Sequence, residues 1–250
     1  MSYSYNVIVR THRIYCKSVS ENNSVFKIDQ TQSMHLIKVL RLKEKDQVEV
    51  FDGYGSSAIC EIVELDRTSV SLARVSDLKV SQQSTKKIVF MVPFIKKDNF
   101  HFMVQKLCEI GLSEFIFYKP DLIDQSIAKK DISKIYSKLE DVIISACKQC
   151  GSNFLPITRI VASLKDGIAL VNNMDVCVFD VNAKSSFDMT NLNSSSICMI
   201  TGPESGFSES EINLLNLNKF EFKLVSKNIL RAETAPIVIA SLIQNHFDKI

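Results

Sequence analysis

The chain has 250 residues, enough for one large domain or two of ordinary size. With 46% apolar and 23% charged residues it has the composition of a globular protein, and a net charge of +2 is too small to argue nucleic-acid binding by itself. Seven dispersed cysteines, an odd number, argue against a disulfide framework and for a reducing cytoplasm. The start, MSYSYNVIVRTHR, shows no signal peptide. No uncharged apolar run approaches the roughly 18 residues of a spanning helix, so no membrane is expected.

Residues 1–75 read as small β units. Thr31–Leu40 predicts a short helix. Val48–Phe51, Ser57–Val63 and Ser69–Val75 predict strands, with a tight turn at Asp52-Gly53-Tyr54-Gly55. Short strands with short turns suggest a small barrel. Five of the seven arginines (Arg10, Arg13, Arg41, Arg67 and Arg74) lie in this third, and arginine is the better fork for phosphate. An anionic partner and a merely solvated face both fit that placement. Residues 76–87 are polar and aperiodic, as in a linker.

From residue 88 strands alternate with helices. Strands are expected at Ile88–Val92, Phe115–Tyr118, Val176–Phe179, Ile197–Ile200 and around Phe222–Val225. Helices are expected over Phe100–Leu107 (ending near Gly111), from near Asp131 through Ile132, Ile135, Leu139 and Ala146, over Ser163–Val171, after Ser208, and over Thr234–Phe247. Such alternation predicts a mostly parallel sheet covered on both faces.

Two strand-to-helix loops stand out. In Ile197–Phe207 an apolar run stops at Thr201-Gly202-Pro203-Glu204, and Ser208-Glu209-Ser210-Glu211 has the form of a capping box. Two of only seven glycines, Gly202 and Gly206, fall there, where a backbone needs room or positive φ. The second loop, Ser226–Thr234, places Arg231 and Glu233 at the entrance of the final helix. Loops at the carboxyl ends of strands in open α/β sheets bind ligands, and two in one sheet can enclose one. Each loop taken alone also reads as an ordinary turn, and the Arg–Glu pair as a surface ion pair. Cys147-Lys148-Gln149-Cys150 has C-x-x-C spacing but no second pair and no nearby histidine, so no metal site is expected. Lys106 and Glu109 are helix neighbours. There is no P-loop, G-x-G-x-x-G or Ser-His-Asp order.

Five stretches, in order, fit one family: His35–Arg41 (HLIKVLR), Gln105–Gly111 (QKLCEIG), Ala146–Gly151 (ACKQCG) with Pro156, Gly202–Ser208 (GPESGFS) and Ile229–Ala235 (ILRAETA). The chain resembles the RsmE ribosomal RNA methyltransferases of the SPOUT superfamily over nearly its whole length. The last two stretches are the specific ones. The resemblance implies an N-terminal PUA-like β-barrel and a C-terminal α/β domain with a trefoil knot. It also implies a homodimer, S-adenosylmethionine as cofactor, and methylation of N3 of a uridine in small-subunit ribosomal RNA, either as RNA or in the assembled subunit. Carried onto this chain, the cofactor contacts are Thr201, Gly202, Pro203, Glu204, Gly206, Leu224, Val225, Ser226, Ile229, Leu230 and Ala235. Arg231 would stabilise charge on a uracil carbonyl oxygen, and Glu233 would orient Arg231 or take the N3 proton. Arg10, Arg13, Lys38, Arg41 and Lys106 are the expected RNA contacts. The chain departs from the family at Ser205 and Ser226, where glycine is usual, at Lys148 for glutamate and at Ser152 for arginine. Two alternatives remain at this level: a SPOUT enzyme with another RNA target, and an RNA-binding assembly factor whose loops no longer hold the cofactor.

Overall fold

The computed structural model describes residues 11–21, 25–83, 85–123, 138–188 and 194–247. The chain forms two compact units, Met1–Gln83 with Gly151–Phe154, and Ser84–Cys150 with Leu155–Ile250.

The first unit is a six-stranded sheet. Its strands are β1 (Arg13–Tyr15), β2 (Val25–Lys27), β3 (Gln47–Phe51), β4 (Ser56–Leu65), β5 (Val70–Arg74) and β6 (Lys79–Val80). They pair in the order β1-β3-β4-β5-β2, with β6 on β4. Alternate residues face one core: Ile14 from β1, Phe26 from β2, Val48 and Val50 from β3, Ala58, Cys60 and Ile62 from β4, and Val70 and Leu72 from β5. Leu36 closes it from a helical segment, α1 (Gln30–Met34) running into a π turn, His35–Leu40. Asp29 caps α1 by accepting from the Gln32 amide, and Arg41, left-handed at φ 53°, ends the segment. The expected turn is present: Asp52 Oδ1 accepts from the amides of Tyr54 (2.7 Å) and Ser56 (2.9 Å).

Two features depart from the expected organisation of 1–75, linker 76–87 and 88–250. Residues 76–83 belong to the first unit, and Lys79–Val80 pairs with Ser56–Ser57. Gly151–Phe154 also belongs there, with the Phe154 ring lying on Gly55. Neither contact is periodic, so no pattern announces it.

In the second unit, β7 (Lys87–Pro93), β8 (Glu114–Tyr118), β9 (Ile157–Val161), β10 (Asp175–Phe179), β11 (Ser185–Ser186), β12 (Ser196–Thr201) and β13 (Glu221–Leu224) form one sheet, ordered β11-β13-β10-β12-β7-β8-β9. Every pairing in it is parallel. Its helices are α2 (Lys97–Glu109), α3 (Leu139–Cys150), α4 (Leu164–Ala169), α5 (Glu209–Leu217) and α6 (Thr234–His246). Val89, Met91, Ile116, Tyr118, Cys198 and Ile200 point to one face and pack with Leu164, Ile168 and Leu215 of α4 and α5. The alternate residues point to the other face, where Phe117 meets Phe100 of α2 edge to face at 5.0 Å. That two-sided burial is why these strands read as unbroken apolar runs. Asp131, Ile132 and Ile135, expected to begin the helix that ends in α3, lie outside the described residues. The strands β1, β2, β9 and β11 were not expected from sequence; all are short or, like β9, largely exposed.

Candidate active site

The sheet order brings the carboxyl ends of β13, β10, β12 and β7 side by side. A cavity of about 690 Å³ opens there. Every residue expected to contact a cofactor lines it: Thr201, Gly202, Pro203, Glu204, Gly206, Leu224, Val225, Ser226, Ile229, Leu230 and Ala235. Arg231 and Glu233 line it too.

The first loop is shaped by its own sequence. The Gly206 amide donates to the Pro203 carbonyl at 2.9 Å, and Gly206 sits at φ 75° with open space where a Cβ would be. Gly202 lies on the Phe207 ring, which a Cβ there would approach to 3.3 Å. Beyond the loop the capping box forms in full: Ser208 accepts from the Glu211 amide (3.1 Å) and Glu211 from the Ser208 amide (2.9 Å). Asp121, just past β8, accepts from the Ser208 and Ser210 hydroxyls, and these hydrogen bonds hold its carboxyl below the usual range. The Tyr118 hydroxyl donates to the Thr201 carbonyl at 2.9 Å, and burial pushes its phenol well above the usual value. In the second loop the Ser226 hydroxyl accepts from the Asn228 amide at 3.1 Å. Neither Ser205 nor Ser226 is left-handed, so serine replaces the usual glycine at both without backbone strain.

Arg231 and Glu233 are unequal partners. The Arg231 side chain is 82% exposed and the Glu233 side chain 9%, with 3.9 Å between Nη1 and Oε1. That separation is an ion pair but not a hydrogen bond. Glu233 Oε2 and Thr201 Oγ1 are enclosed and have no hydrogen-bond partner among the described residues. Ile229, expected among the cofactor contacts, is 84% exposed and stands at the rim.

Two further loops were missed by sequence reasoning. Asp180–Asn182 follows β10, and Lys96 and Asn99 lie at the start of α2 after β7. A strand followed by a polar loop at 180–182 was the available signal. Only the position of β10 between β12 and β13 shows that its loop must join theirs.

The expected RNA contacts are dispersed in character. Arg10 lies outside the described residues. Lys38 and Arg41 are exposed. Arg13 is engaged within its own unit: it pairs with Glu49 at 3.0 Å, lies over the Phe51 ring, and donates to the Ser152 carbonyl and Asn153 Oδ1. These contacts give Arg13 a structural role in its own unit. Lys106 pairs with Glu109 at 2.9 Å. Cys147 is buried and Cys150 half-buried at the end of α3, and among the described residues neither forms a disulfide.

Residues 82–244 match the RNA methyltransferase domain family, and residues 28–73 match the RNA methyltransferase PUA domain family. The chain is 27% identical over 221 residues to ribosomal RNA small subunit methyltransferase E 1 of Borreliella burgdorferi, spanning 86% of this chain and 90% of that one. A Legionella pneumophila methyltransferase solved with S-adenosylmethionine superposes with a TM-score of 0.81 at 23% identity, covering 95% of this chain and 98% of that one. Ribosomal RNA small subunit methyltransferase E of Neisseria gonorrhoeae, solved with S-adenosylmethionine, gives 0.78 at 22% identity, covering 94% and 98%.

Proposed function

This chain belongs to the RNA methyltransferase family, and we propose that it uses S-adenosylmethionine to methylate N3 of a uridine in small-subunit ribosomal RNA. The observation that carries this reading is the convergence of Thr201–Gly206 and Val225–Leu230 on one cavity. Its volume lies in the roughly 300–1,000 Å³ of cofactor sites. Phe179, Leu224 and Leu230 give it apolar lining, while the enclosed Thr201 and Glu233 oxygens await a ligand's polar groups. These residues fit the cofactor. The Borreliella relative, by its name, supports ribosomal RNA as the substrate class, and the cofactor bound in the two similar folds supports S-adenosylmethionine.

When bound, S-adenosylmethionine supplies an electrophilic methyl group on a sulfonium. The protein's task is to present an acceptor and to manage its charge. N3 of uracil holds a proton at neutral pH and is nucleophilic only once it has lost it. Arg231 is exposed at the cavity's edge; there its guanidinium would stabilise charge spreading onto a uracil carbonyl oxygen of a base brought out of its stack. Glu233, the neighbouring carboxylate, orients Arg231 or takes the N3 proton. Lys38 and Arg41, two of the exposed cations of the first unit, are available to phosphates. The enzyme acts as a homodimer in the cytoplasm.

Mass spectrometry of ribosomal RNA from cells with and without the gene tests the reading. One methyluridine should be missing from the small-subunit RNA of the deletion strain, and an unchanged methylation pattern refutes the proposal. Arg231→Ala should lower the methylation rate by about 10²–10³-fold with cofactor affinity nearly unchanged by calorimetry. A fully active variant removes Arg231 from the chemistry.

A further inference from the structure

We infer that Glu233 is a specificity-determining residue: a buried negative charge through which the cavity prefers the cationic cofactor to its neutral demethylated form. The inference rests on S-adenosylmethionine being the ligand of this cavity.

Six charged side chains line the cavity: Lys96, Asp180, Glu204, Lys223, Arg231 and Glu233. Lys96, Glu204 and Arg231 are exposed, and Asp180 and Lys223 are half-buried. Lys223 is paired with Glu221 at 2.9 Å, and Asp180 Oδ1 accepts from the Asn182 amide at 2.7 Å. Glu233 alone among these is buried, at 6% exposure. Among the described residues its Oε2 has no hydrogen-bond partner, and its Oε1 is 3.9 Å from an arginine whose charge is largely in water. Glu233 is the N-cap residue of α6 but makes no side-chain cap hydrogen bond, so the helix dipole and a distant guanidinium compensate the carboxylate only in part. An enclosed charge of this kind is costly unless something brings the opposite sign to it.

S-adenosylmethionine brings that sign, since its sulfonium adds a positive charge that S-adenosylhomocysteine, a thioether, lacks. The two molecules are otherwise nearly the same shape. Within a cavity of low effective dielectric, attraction to a fixed carboxylate persists over several ångströms and does not require contact with the sulfur. The attraction vanishes once the methyl group is gone, so the same residue that favours loading eases departure of the spent cofactor.

Thr201 is an internal control. Its Oγ1 is also enclosed, unpartnered and at the cavity, but it is neutral. Calorimetric titration of the full chain with S-adenosylmethionine and with S-adenosylhomocysteine tests the inference without any turnover. The wild type should bind the sulfonium form more tightly. Glu233→Gln should weaken that form by about tenfold or more and the thioether by less than about threefold. Glu233→Asp, which keeps the charge, should retain the preference. Thr201→Val should change both affinities by a common factor. Equal weakening of both ligands in Glu233→Gln, or loss of the preference in Glu233→Asp, overturns the inference while leaving the methyltransferase reading intact. Failure of the wild type to bind either ligand overturns both.

Discussion

Arg13 illustrates how a charged side chain acquires its role from its surroundings. Its guanidinium is surrounded by Glu49, the Phe51 ring, the Ser152 carbonyl and Asn153. Removing it strands the Glu49 carboxylate, so Arg13→Ala should cost about 2 kcal/mol in denaturant unfolding and leave the salt dependence of RNA binding almost unchanged. A stable variant with a reduced salt slope would return Arg13 to the RNA surface. Glycines differ in the same way. Gly206 is left-handed in open space, so Gly206→Ala should cost about 1–2 kcal/mol of backbone strain alone, read as a lower melting temperature. Gly55 combines φ 109° with a Phe154 ring atom 2.4 Å from any added Cβ, and a substitution there should be worse. A loss at Gly206 as large as that at Gly55 would contradict the open-space account. The positive φ at Gly206 agrees with its place in a tight loop, whereas nothing in the sequence around Gly55 points to a ring about a hundred residues away.

Among the strands, β7, β8 and β9 are tied at one end by charge. Glu114 is almost wholly buried and pairs with Lys87 at 2.7 Å and Arg159 at 2.8 Å. Burial alone would raise its carboxyl, but the hydrogen bonds and charges of Lys87 and Arg159 outweigh that and hold it below the ordinary value of 4.5. A depressed folded-state value means stability that is fully present above the unfolded value and lost as pH falls through the folded one. Chemical denaturation should therefore find Glu114→Gln less stable than wild type at neutral pH. The gap should narrow below about pH 4.5 and close in stronger acid. A gap independent of pH would assign the effect to packing. The helices that follow these strands were legible because burial on one face leaves a 3.6-residue stripe, as with Phe100, Met103, Val104 and Leu107 in α2. Strands of two or three residues, such as β6 and β11, carry too little pattern to be seen before their partners are known.

For the assembled protein, the proposed homodimer is tested by sedimentation, which should give twice the single-chain mass at micromolar concentration; a monomer under those conditions would refute it. What the sequence determined by itself is local. Apolar runs ended by Gly and Pro, a serine three residues before a glutamate, and apolar stripes are consequences of strand burial, helix capping and helix packing, each acting within one element. They were enough to mark Thr201–Gly206 and Ser226–Thr234 as loops at strand ends and to carry the resemblance to a family. The tertiary structure alone decided which loops share a cavity. The cavity is built where β13, β10, β12 and β7 lie side by side, so Asp180, Asn182, Lys96 and Asn99 join it through sheet order, to which no local pattern is sensitive. It also decided that Glu233 is enclosed while Arg231 two residues away faces water. Burial is set by everything packed around a side chain, and adjacent positions in a chain can differ completely in it.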